Sequence, residues 1–167
     1  SMPERALLRR LFRASGRWAL ATHPLGDSTG TRYPPNRLGS NTSHSPWLVF
    51  AKTLRAQLGV PIGLLPASLG GSPMAAWTRG VNGVLFDNMM RYVHDAGGAA
   101  RGLVWYQGES DAGPETRRVY ARHFRRFVAD LRRTLGDPAL PVITTQLNRY
   151  VARVLTASTL ADVFRDK

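Results

Sequence analysis

A chain of 167 residues, 43% of them hydrophobic, is long enough to bury one real core. Its formal net charge is +12, and because Lys52 and Lys167 are the only lysines, the excess is carried by arginine. The absence of cysteine excludes disulfides and thiolate metal sites, and no apolar run is long enough to cross a bilayer. No charged-then-apolar leader opens the chain, Ser1-Met2 reads as the remnant of a cleaved tag, and the compartment stays open between secreted and cytoplasmic.

Residues 22–46 are dense in Gly, Pro, Ser, Thr and Asn and read as one long loop, of the kind that often carries a binding or active site. Pro46 then opens a helix through Trp47, Val49, Phe50, Leu54 and Leu58 that Gly59 stops. Residues 61–67 form a short apolar strand, 80–96 a helix carrying Val84, Leu85, Met89, Tyr92 and Val93, and 102–106 a second strand. A long helix follows from about Pro114 to Leu135, ended by Gly136 and Pro138. Residues 142–147 form a third strand, and 153–157 a fourth. This alternation of continuous apolar strands with helices predicts an α/β domain, with residues 62–66, 102–106 and 142–146 as parallel neighbours in one sheet. Ligands in such sheets bind at the C-terminal strand ends. That rule singles out the turns at 68–72 and 107–111.

Seven arginines, from Arg117 to Arg133, lie on the long helix. Its apolar stripe (Tyr120, Phe124, Phe127, Val128, Leu131, Leu135) recurs at spacings of three and four, which turns most of the arginines to solvent. A solvated helix face is the expected role, ahead of a surface for phosphates, and no nucleic-acid or membrane partner is expected.

In Ser68-Leu69-Gly70-Gly71-Ser72, the glycine pair lets backbone N–H groups approach a ligand closely, as the oxyanion of an acyl-transfer intermediate requires. The segment Trp105-Tyr106-Gln107-Gly108-Glu109-Ser110-Asp111 delivers an amide, a flexible glycine and a carboxylate from the end of a buried strand. Gln107 can donate to an oxyanion, Glu109 can orient a neighbour or a buried base, and Asp111 is expected to cap the following helix.

These residues resemble a family. The segments G-V-P-I-G-L-L-P-A-S-L-G-G-S, D-N-M-M, G-L-V-W-Y-Q-G-E-S-D-A and T-Q-L, together with Trp77 and S-P-W-L-V-F-A-K-T-L, are similar to the carbohydrate-esterase branch of the SGNH hydrolases, of sialate O-acetylesterase and acetylxylan esterase type. The resemblance implies a flavodoxin-like three-layer sandwich around a parallel sheet, spanning 1–167 as a single domain. It also implies serine-type hydrolysis of O-acetyl esters on a carbohydrate, with no metal and no cofactor. It implies an oxyanion hole formed by the nucleophile's own N–H, Gly71 (or Gly70) and Gln107, with Gly70, Ser72 and Trp77 beside the substrate. The family's nucleophile sits in G-Q-S-N near the N-terminus, and this sequence has no such segment. Gly26-Asp27-Ser28 spells a related motif, but it follows His23-Pro24-Leu25 inside the loop, so Ser28 reads as a decoy. The family closes with Asp-x-x-His, of which Asp166 fits the first half. The domain is therefore expected to be incomplete at both ends, with a missing segment near 149–152. His23, His44, His94 and His123 supply neither the base nor a metal site. The alternatives are a carbohydrate-binding pseudo-esterase lacking its nucleophile, or an arginine-rich polyanion binder.

Overall fold

The computed structural model describes residues 10–26, 31–33, 35 and 44–147. Ser1-Met2, Ser28, the 149–152 segment, the strand expected at 153–157 and Asp166 lie outside the described residues. The chain falls into two compact units, Ser1–Gly70 with Asn88–Gly98, and Gly71–Asp87 with Ala99–Lys167.

The first unit holds a three-stranded sheet in the order β2-β1-β3. β1 (Arg10–Phe12) pairs antiparallel with β2 (Trp18–Leu20), and parallel with β3 (Gly63–Leu64). Between β1 and β2 the chain reverses through bonds from Arg13 N to Arg17 O and from Gly16 N to Arg13 O, with Gly16 at φ 81, a backbone angle that glycine adopts without a Cβ penalty. Helix α1 (Pro46–Leu58) follows the sequence pattern at both ends. The Ser45 hydroxyl accepts from Trp47 N, Pro46 occupies the first turn, and Gly59 closes it in the left-handed conformation. Its buried residues are Leu48 and Ala51, while Val49 and Leu58 are exposed. Leu48 joins Leu11, Ala21 and Leu25 in one core cluster, and Phe12, Tyr33 and Tyr92 form another.

Tyr33 comes from the long loop, yet it is buried and donates its hydroxyl to Asp95 Oδ2 at 2.8 Å. Burial, then the bond to the carboxylate, pushes its phenol from 10.0 up to about 12. Burial also raises the Tyr92 phenol. Because the folded value lies above the unfolded one, Tyr33 contributes stability that is complete below pH 10 and is lost as pH rises toward 12. A Tyr33→Phe variant should lose Tm less steeply than wild type across that interval. Equal alkaline slopes would remove the effect.

The second unit contains α2 (Met74–Trp77), β4 (Leu103–Trp105), a 3-10 turn (Glu109–Asp111), α4 (Pro114–Leu135) and β5 (Val142–Thr144). Helix α3 (Val84–Asp95) begins in this unit and continues into the first. It starts later than the predicted residue 80, where Asn82 Oδ1 accepts from Val84 N. Strands β4 and β5 are parallel neighbours as expected, with Leu103, Val104 and Trp105 opposite Val142, Ile143 and Thr144. The third predicted neighbour is not in that sheet. β3 pairs with β1, a strand the sequence reading did not identify, so among the described residues the three predicted strands do not share one sheet. Helix α4 matches its predicted span: Pro114 sits in its first turn and Gly136 caps it at φ 67. Phe127 and Leu131 of its apolar stripe are buried, and Trp105 packs at a tilt against Phe127 with ring centroids 4.7 Å apart. Among the described residues no helix is long and apolar enough to cross a membrane.

Candidate active site

Strand β4 ends at the buried Trp105, and the chain then turns at Gly108, whose φ of 150 is a conformation L side chains rarely adopt. A Cβ there would meet Leu147 Cδ1 at 3.0 Å, so the glycine serves both the turn and the packing above it. The turn lets Gln107 and Asp111 face each other. Gln107 Nε2 donates to Asp111 Oδ2 at 2.7 Å and to the Ser72 carbonyl at 2.9 Å. Asp111 is buried, and its Oδ2 also accepts from Met74 N at 2.8 Å.

Asp111 therefore does not cap the helix that follows it. The N-cap of α4 is Gly113, without a side-chain bond, and the carboxylate instead holds the first N–H of α2, 37 residues earlier in sequence. That N–H has no intrahelical acceptor, and a charged acceptor there is favourable.

The other end of the Gln107 amide is fixed by a residue the sequence reading placed only in an apolar stripe. The Tyr120 hydroxyl lies 3.1 Å from Gln107 Oε1 and 3.0 Å from the Gln107 carbonyl, to which it donates, and it accepts from Trp105 Nε1 at 3.2 Å. Burial raises its phenol, with Asp111 and Glu109 adding to the rise and the Trp105 bond opposing it, so it stays a donor at neutral pH. The spacing that could have found it is Trp105-x-Gln107 followed by a tyrosine near the start of the next helix. The amide orientation is determined by its nitrogen: Nε2 faces two acceptors, Ser72 O and Asp111 Oδ2.

On the opposite side, Ser72 is buried and its hydroxyl accepts from Trp77 Nε1 at 2.9 Å. Trp77 packs edge-on against Trp105, with centroids 5.3 Å apart. The Gly71–Ser72 turn and the Gln107–Asp111 turn are thus joined through one amide.

Residues 3–165 match the family model described as SASA, carbohydrate esterase, sialic acid-specific acetylesterase. The chain belongs to this carbohydrate esterase family. It is 30% identical over 148 residues to an Arabidopsis thaliana protein named "Probable carbohydrate esterase", covering 84% of this chain and 53% of that protein. It therefore spans about half the length of the curated relative it matches. A solved Arabidopsis thaliana structure superposes with a TM-score of 0.72 at 26% identity, over 92% of this chain and 66% of that one. A carbohydrate acetylesterase from Xanthomonas citri shares the fold, with a TM-score of 0.57 at 24% identity, over 87% of this chain and 35% of that one.

Against this family background, the expected site residues divide. Gln107 and Ser72 meet, as the two-turn reading requires. Both N–H groups of the Gln107 amide, however, are committed to Ser72 O and Asp111 Oδ2, so the amide is held as a clamp rather than aimed at open space. Trp77 is only 3% exposed and occupies the position of a core side chain, not a face for a sugar. Glu109 Oε2 accepts from Gly108 N at 3.1 Å and so braces its own turn. Gly71 adopts φ 71, and a Cβ on either Gly71 or Gly70 would meet no atom within 4 Å, so backbone angle rather than crowding calls for glycine at Gly71. Ser28 and Asp166 lie outside the described residues.

Proposed function

We propose that the complete protein is a serine esterase that removes O-acetyl groups from a carbohydrate, either sialic acid or an acetylated polysaccharide, and that this chain is a single SGNH-like domain carrying the oxyanion side of its site. The observation that carries the reading is the bond from Gln107 Nε2 to Ser72 O, which joins the Gly-Gly turn to the Gln-Gly-Glu turn at one point. Family membership supports the carbohydrate ester as substrate.

A serine hydroxyl attacks the acetyl carbonyl carbon while a histidine, oriented by Asp166, takes its proton. The carbonyl becomes an oxyanion, and its collapse releases the sugar hydroxyl, which regains the proton. Water then repeats the attack on the acetyl-serine and frees acetate. The backbone N–H at Gly71 supplies the oxyanion bond. Gln107 contributes by holding the Ser72 carbonyl, which sets the orientation of the turn presenting that N–H.

The test is acetate release from O-acetylated sialic acid and from acetylated xylan by the complete protein, with and without a serine-directed phosphonate. Phosphonate-sensitive release supports the reading. Sugar binding with no acetate released would favour a carbohydrate-binding pseudo-esterase.

A further inference from the structure

Helix α4 carries seven arginines against two carboxylates, Glu115 and Asp130. Arg118, Arg122 and Arg125 are exposed and follow one another at spacings of four and three, which places them on one face over about 10 Å of helix axis. Among the described residues, Arg118 pairs with Glu115 at 3.2 Å, whereas Arg122 and Arg125 have no carboxylate partner. Arg126, Arg132 and Arg133 differ: Arg126 and Arg133 reach Asp130, and Arg132 binds the Leu140 carbonyl. Like charges at these spacings oppose the helix by a few tenths of a kcal/mol per pair, roughly 0.2–0.5, so the row gains nothing for folding.

We propose that this row is a docking surface for a carboxylate-bearing polysaccharide, which it holds on the outer face of the helix that braces the candidate site. The stripe opposite the row on the same helix carries Tyr120, which binds Gln107, so a polymer on the row is tethered to the rigid element that supports the site. Guanidinium groups match carboxylates with paired, planar bonds, and three in line suit a repeating anion. The aromatics of α4, Tyr120, Phe124 and Phe127, turn inward, so the row has no interleaved ring on which a nucleic-acid base could stack. The choice of a glycan rests on the esterase reading above, but the binding itself does not require catalysis.

Binding of fluorescent polygalacturonate oligomers to the full chain tests it, with dextran and a DNA duplex as competitors at low and physiological salt. Binding should weaken as salt rises, resist dextran, and fall about tenfold or more in an Arg118→Glu/Arg122→Glu/Arg125→Glu variant that keeps or raises its Tm. An Arg122→Ala/Arg125→Ala pair should give a smaller loss in the same direction. Unchanged affinity in both variants, no binding by wild type, or a duplex bound as tightly as the uronate would overturn the proposal. Because the readout is binding, a failed acetate assay leaves it intact.

Discussion

Replacing Gln107 with alanine should lower kcat of the esterase activity proposed for the complete protein by about 10²–10³, the usual cost of disturbing an oxyanion hole. The same variant should lose stability by roughly 2–4 kcal/mol. An amide serving only as an oxyanion donor would leave Tm unchanged. Here the side chain also satisfies Ser72 O, the buried Asp111 carboxylate and the Tyr120 hydroxyl, and truncation strips a partner from each. Gln107→Glu sharpens the distinction. Its carboxylate would face Asp111 Oδ2 and the Ser72 carbonyl, so the charged form is repelled and its pKa is raised. Stability of that variant should be best at low pH, where a protonated Glu can donate, and should fall as pH rises through the folded pKa. A variant that loses kcat with Tm and its pH profile unchanged would return Gln107 to the role of a simple donor.

The second large effect is expected at Trp77. Its indole is buried against Trp105, and Phe127 lies 6.5 Å away, so Trp77→Ala leaves a cavity and should cost about 3–5 kcal/mol. Trp77→Phe keeps most of the ring contact and loses the N–H to Ser72 Oγ, for about 1–3 kcal/mol. In both variants Tm should fall further than any rise in KM explains. Chemical denaturation read alongside Michaelis kinetics separates the two quantities. A Trp77→Ala variant with wild-type Tm and a strongly raised KM would restore the sugar-lining role that the family resemblance implied.

Several elements were legible in the sequence because their determinants are local. Pro46 and Gly59 bound α1, and Pro114 and Gly136 bound α4, since proline fits a first helical turn and glycine takes the left-handed cap wherever they occur. The apolar spacing on α4 gave its buried face, and the continuous apolar runs gave β4 and β5 as parallel partners. The position of the Gln-Gly-Glu turn at the end of a buried strand was equally local.

Tertiary structure decided which groups those elements meet. The short runs around Leu11 and Trp18 become strands only because they pair with each other and with β3, and two or three residues carry too little periodicity to announce it. Asp111 sits two residues before Gly113-Pro114, which locally favours a cap, yet its carboxylate serves Met74 N instead. Gln107 reaches a carbonyl 35 residues away, and that bond fixes where its N–H groups point. Propensity and periodicity act within a few residues along the chain. A buried polar group takes whichever partner the packed chain brings within about 3 Å, and that choice is made in space.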